Sequence, residues 1–312
     1  MGLRFSPLYA PGGRLSSIYL HNIGEITMNE FQIFTDSCCD LIAAQTAAMN
    51  VVCVPLSVVC DGAATDDYRT APERKAFFDA IRAGKMPSTA AVNPDRWLGA
   101  FKAALEAGKD VLVICFAAAL SATYQSAVIA AGELKDEYPD RRILVCDTAS
   151  ASAGQSLLVT KACALRDAGK SIEEVFAWLD ENKAHCQHHI TVDDLSHLKR
   201  GGRLSATSAI VGTMLSIKPM LLINGEGKLL AGAKVRGRKA ALEAIAAKAG
   251  EAADKEDVYL CHGDCLADAE KCAAIMREKY GIKNVHIGYI GGVVGSHVGP
   301  GALVLGFLGE KR

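Results

Sequence analysis

The chain has 312 residues, half of them hydrophobic and 22% charged, with a formal net charge of −1. That length and apolar content predict about two domains, each with a sizeable buried core. A near-zero charge with no long block of either sign excludes a broad electrostatic footprint for nucleic acid or an anionic membrane, and the longest apolar run, Val111 to Leu120, is too short to span a bilayer.

Residues 1 to 27 have poor periodicity and no continuous apolar stretch of signal-peptide type. They read as an upstream extension with Met28 as the natural start, or else as a short ordered arm. From Phe31 to about 180, short β-branched runs alternate with Ala-rich helical patterns. FQIFT, VVCVPLSVV, DVLVICF and RILVCD predict strands; helices are expected from near Ala71, Pro94, Ser121, Ser150 and Ser171. This alternation implies a doubly wound parallel sheet with right-handed crossovers.

From about 185 the texture changes. HHITV, PMLLING and KLLAGAKV predict closely spaced strands with a hairpin-like turn at Asn224–Gly225, and VYLCH, NVHIGYI and ALVLGFL interleave with helices near 238 to 252 and 266 to 280. The expected architecture is two α/β domains, residues 28–184 and 185–312, the second with a mixed sheet and the ligand between them. Eleven cysteines sit mostly inside apolar runs, among them Cys53, Cys115 and Cys163, with no CxxC pair. Such thiols behave as small core hydrophobes and fit a reducing, cytoplasmic setting.

Three predicted strands end in small hydroxyl or acidic residues and run into helices: Thr35-Asp36-Ser37, the segment before Ser121-Ala122-Thr123, and Asp147-Thr148-Ala149-Ser150. In open parallel sheets ligands bind beyond the carboxyl ends of strands, where helix N-termini offer free N–H donors. Plain N-capping is the competing explanation. Asp36 and Asp147 would repel an anion, so they are expected to organise backbone N–H groups. Pro87 to Pro94 forms a proline-bounded loop that either holds Thr89 in a fixed pose or leaves it solvated. Gly295-Ser296-His297-Val298-Gly299-Pro300-Gly301 predicts a tight exposed turn in which His297 either meets a carboxylate or faces solvent. Near Gly201-Gly202-Arg203 a short helical turn, Leu195 to Lys199, breaks where glycines permit positive φ. A helix is then expected to restart and end at Lys218–Pro219. Neither the His185–His189 cluster nor Cys261–Cys265 has structural zinc spacing, and no Walker loop or GxSxG elbow is present.

The whole string TVDDLSHLKRGGRLSATSAIVGTMLSIKPML, residues 191 to 221, closely resembles the DxLxxLxxGGRIS…IKPIL segment of the DegV family of bacterial fatty-acid-binding proteins. The resemblance spans nearly everything from Phe31 onward. Thr35-Asp36-Ser37-Cys38-Cys39-Asp40-Leu41 is similar to TDSxxDL, and Leu120 to Ala127 to LSGTYQSA. Asp147 to Gly154 is similar to DSxxxSxG, and His297 with Gly299-Pro300-Gly301 to HxGPG. The resemblance implies one long-chain fatty acid between two α/β domains, its carboxylate held by Thr89, Ser121 and His297. Asp36, Ser37, Asp147, Gly299 and Gly301 would organise the backbone near the head group. It also implies presentation of the carboxylate to a separate ATP-dependent fatty acid kinase, with Gly201, Gly202 and Arg203 docking that partner or gating the head group. No cofactor, metal or catalytic residue of its own is implied. Two departures stand out: Ala90 replaces the Ser after Thr89, and Ala117 and Ala118 replace both serines before Leu120. Two other readings remain: a stand-alone hydrolase or transferase using His297 with Asp36 or Asp147, and a sensor of another small apolar ligand.

Overall fold

The computed structural model describes residues 30–204 and 217–312. The extension expected over 1 to 27, the start at Met28 and the body of the helix expected after Arg203 lie outside the described residues.

In chain order the first half contains β1 (Phe31–Asp36), α1 (Ala43–Ala48), β2 (Val51–Val54), β3 (Ser57–Cys60), β4 (Ala63–Asp66) and α2 (Ala71–Arg82). Then come β5 (Ser88–Ala90), α3 (Pro94–Glu106), β6 (Asp110–Cys115), α4 (Thr123–Leu134), β7 (Ile143–Asp147), α5 (Ser152–Asp167) and α6 (Ile172–Asn182). Local chemistry sets several starts. Thr70 and Glu73 form a reciprocal capping box on α2, Ser171 and Glu174 do the same on α6, and Asn93 accepts the Arg96 N–H with Pro94 at the first helical position of α3. By contrast α4 and α5 start on Ala122 and Ala151, which lend no capping side chain.

Strands β2, β1, β6 and β7 form a parallel sheet in that order. Thr35 lies beside Ile114 and Ile114 beside Cys146, so the carboxyl ends of β1, β6 and β7 are neighbours. VVCVPLSVV is not one strand. Pro55 separates β2, which joins the parallel sheet, from β3, which pairs with β4 and β5 in a small antiparallel sheet; a proline without an N–H cannot continue a ladder. The loop expected to carry Thr89 is therefore partly a strand.

The second half contains β8 (Cys186–Thr191), α7 (Ser196–Arg200), β9 (Ile217–Ile223), β10 (Leu229–Arg236), α8 (Arg238–Ala249), β11 (Asp257–His262), α9 (Leu266–Tyr280), β12 (Asn284–Tyr289), α10 (Gly292–Val298) and β13 (Leu303–Leu308). Its six-stranded mixed sheet runs β10-β9-β8-β13-β11-β12, with β11 and β12 parallel and the other pairs antiparallel. Lys218 and Pro219, expected to end a helix, lie in β9; Pro219 sits opposite Lys234 at the edge of a bulge, where a missing ladder donor is tolerated. His297, expected in an exposed turn, sits half-buried in the last turn of α10.

Helix α5 joins the two sheets. It packs on β6 and α6 on one side and on β8, β11 and β13 on the other. Its first eight residues are all buried, as expected of a helix enclosed on every face. Close approach to β13 needs a glycine in that strand: a Cβ on Gly306 would fall 2.6 Å from the Gly154 nitrogen. Gln155 of α5 donates to Thr35 Oγ1 at 3.2 Å and to the Ile114 carbonyl at 3.3 Å, so its buried amide nitrogen is paired.

Candidate ligand-binding site

A cavity of about 180 Å³ lies between the parallel and mixed sheets. Its lining is mostly aliphatic: Phe116 and Leu120 follow β6, Ile190, Ile223 and Val304 come from the mixed sheet, and Val293, Val294 and Val298 come from α10. Polar groups are few: Thr89, Ser121, Ser152, His297 and Arg203. Ser121, Ala122, Arg203 and Leu229 are shared with an adjoining hollow of about 590 Å³, which Ala118, Ala119, Gly202 and Lys228 also line. A largely apolar concavity with a small polar group set suits an amphipathic ligand.

Thr89 and His297, 208 positions apart in sequence, meet across the cavity with Oγ1 to Nε2 at 2.9 Å. Burial, with Arg203 and Arg200 nearby, lowers the His297 pKa from 6.5 to about 4, so the ring is neutral at pH 7. Its Nδ1 is buried and has no hydrogen-bond partner among the described residues. An incoming carboxylate would favour the imidazolium. Ser121 Oγ lies 2.9 Å from Thr123 Oγ1 and accepts the Thr123 N–H at 3.2 Å. Thr123 of the Ser121-Ala122-Thr123 segment is fully buried behind Ser121. Arg203 is exposed; it donates Nη1 to the Gly201 carbonyl at 2.6 Å and Nε to the Leu120 carbonyl at 3.3 Å.

The remaining expected residues stand behind the cavity wall. The Asp36 carboxylate accepts the N–H of Cys38 at 3.0 Å and of Phe116 at 2.7 Å, and burial raises its pKa to about 6. Asp147 accepts from Ala118 at 3.1 Å and Ala149 at 2.8 Å, and Ser37 Oγ accepts the Leu56 N–H at 3.1 Å. These bonds fix loops that carry the lining residues Phe116 and Leu56. They do not orient His297, which meets Thr89 instead, so the pairing of His297 with Asp36 or Asp147 that a hydrolase would use is absent among the described residues. Gly299 and Gly301 take positive φ (74° and 79°) in the turn after α10, and neither lines the cavity. Of the Gly-Gly pair only Gly202 has positive φ, 66°; Gly201 stays at −74° and is needed for space instead. Among the described residues no group of three or more His, Cys, Asp or Glu could hold a metal ion, and no helix is long and apolar enough to cross a membrane.

A family model described as "Uncharacterised protein, DegV family" matches residues 30–310. The chain belongs to the DegV family. A DegV domain-containing protein of Clostridium perfringens is 41% identical over 291 residues, covering 91% of this chain and 99% of the relative. Among solved structures, a DegV lipid-binding protein of Thermotoga maritima superposes with TM-score 0.80 at 30% identity, covering 91% of this chain and 99% of its own. A DegV family protein of Thermus thermophilus, whose structure is described as showing fatty-acid binding, gives TM-score 0.77 at 30% identity, with 89% and 99% covered. DegV neighbours have two α/β domains, and in this chain a parallel sheet is followed by a mixed one.

Proposed function

We propose that this DegV protein binds one long-chain fatty acid in the cavity between its sheets, with the carboxylate at Thr89, Ser121 and His297. The domains on either side would divide near residue 184. The observation that carries this reading is the Thr89–His297 pair closing the polar end of an otherwise aliphatic cavity, and the fatty-acid binding of the Thermus thermophilus relative supports it. Tail burial supplies most of the affinity. A C16 chain buries about 14 methylenes at roughly 0.8 kcal/mol each, a gross ~11 kcal/mol. A hydrogen bond to the carboxylate contributes about 1.5–3 kcal/mol. Alanine at 90, 117 and 118 therefore costs head-group contacts without removing tail capture.

The carrier would act in the reducing cytoplasm, in keeping with eleven free thiols. It would present the carboxylate to an ATP-dependent fatty acid kinase for acyl-phosphate formation and perform no chemistry itself. Arg203, exposed where the cavity adjoins the wider hollow, and the Gly201-Gly202 turn would dock that kinase or gate the head group. The test is the lipid content of the double variant Thr89→Ala with His297→Ala after purification. A clear fall in retained fatty acid is expected, whereas lipid content equal to wild type would refute the head-group assignment.

A further inference from the structure

Helix α10 carries His297 at its end, and its beginning is held by three buried residues from the other half of the chain. Arg74 of α2, 0% exposed, donates Nη1 to the carbonyl of Tyr289, which ends β12. The same guanidinium donates to the carbonyls of Asp40 at 2.8 Å and Tyr68 at 2.9 Å. Asp40 accepts the Gly291 N–H at 2.8 Å, and Asp67 accepts those of Gly292 at 2.7 Å and Val293 at 3.2 Å. A helix cannot satisfy its first N–H groups internally; here two carboxylates more than 220 positions away do so. The grip is close because side chains are missing. A Cβ on Gly292 would fall 2.6 Å from Tyr68 Cδ2, and one on Gly295 would fall 2.8 Å from Phe77 and Phe78 ring carbons.

We infer that Asp67, Asp40 and Arg74 are positioning residues that clasp α10 against the first half of the chain and so set the His297 ring against Thr89. None of the three lines the cavity, so their effect on a ligand passes through α10. The consequence for head-group binding rests on the function proposed above; the geometry of the clasp does not.

The test follows the His297 ring by NMR in ligand-free protein, alongside binding of palmitate. Wild type should show a ring that stays neutral down to about pH 5. In Asp67→Ala the ring should gain a proton near the ordinary value of about 6.5, and palmitate should bind at least about tenfold more weakly. The charged groups facing the ring, Arg200 and Arg203, and the nearby His197, are unaltered by the substitution. Asp67→Asn, which keeps an oxygen for the Gly292 and Val293 N–H groups, should restore both readouts. Ile245→Ala, in the separate core under α8, lowers stability and should leave the ring titration as in wild type. If Asp67→Ala does not fold, Asp67→Ser replaces it with the same expectation. A ring titration unchanged in the Asp67 variant, or shifted equally in Ile245→Ala, would overturn the clasp. A wild type that takes up no palmitate would refute the fatty-acid reading and leave the ring comparison intact.

Discussion

Gly201 lies so close to the His297 ring that a Cβ placed on it would fall 2.1 Å from Nδ1 and 2.8 Å from Cε1. The end of α7 is thus packed on the edge of the ring whose other nitrogen meets Thr89. Gly202, one residue on, needs its glycine for a φ of 66°, and a Cβ there would meet nothing within 4 Å among the described residues.

The two glycines should therefore respond differently to substitution. Gly201→Ala must displace the His297 ring or the end of α7, which costs about 1–3 kcal/mol and should lower fatty-acid affinity. Gly202→Ala should cost more than about 0.4–1 kcal/mol through backbone strain alone. Thermal unfolding and fatty-acid titration of both variants check this. Equal affinity losses would show that the Gly201 contact is not what matters.

Affinity should depend on pH through His297. Its pKa is about 4 without ligand, and a bound carboxylate raises it, so binding takes up a proton. Affinity should then rise as pH falls from about 7.5 toward 5.5, before the free acid itself protonates in the ordinary carboxyl range near 4. In His297→Gln the rise should vanish. Calorimetry in buffers of different ionisation heat would measure the proton uptake directly.

Asp40 gives the opposite slope in stability. Burial raises its pKa from 3.8 to about 7, so the folded protein holds this proton more tightly than the unfolded chain. That contribution is complete below about pH 4 and is lost as pH rises through 7, an upper limit on the order of 4 kcal/mol. His189, His262 and His297, lowered to about 4, contribute stability that is full above about 6.5 and is lost as pH falls toward 4. The difference between wild type and Asp40→Asn isolates the aspartate. Urea unfolding from pH 4 to 8 should show the variant losing less stability with rising pH.

The contact of α5 with β13 should be intolerant of a methyl group. A Cβ on Gly306 would press on the Gly154 backbone, and one on Gly154 would fall 1.9 Å from His188 Nε2. Gly306→Ala is expected to destabilise by several kcal/mol, because backbone cannot move aside as a flexible side chain can. Denaturant unfolding checks this; a loss under about 0.5 kcal/mol would show that α5 repacks freely.

The parallel sheet was legible because β1, β6 and β7 are short, mostly apolar runs punctuated by helical stretches, and the mixed sheet was legible from strand spacing after 185. Elements chosen by tertiary contact were harder. Strand β4 reads AATD, with no large apolar residue, and β5 is three residues long. Helix α10 contains Gly292 and Gly295, poor helix formers whose place is set by what they pack against. Thr89, Ser121 and His297 came from motif resemblance, and the cavity places all three on its lining. Asp67 and Arg74 gave no local signal: Arg74 sits in a charged helical stretch, and two of its three carbonyl partners lie 34 and 215 positions away.

Native mass spectrometry of the purified protein, followed by organic extraction of whatever it releases, tests the central claim most directly. The account predicts one fatty acid per chain, retained through purification or taken up on incubation with C14–C18 acids, and diminished in Thr89→Ala with His297→Ala. A protein that is ligand-free and remains so after that incubation would contradict it.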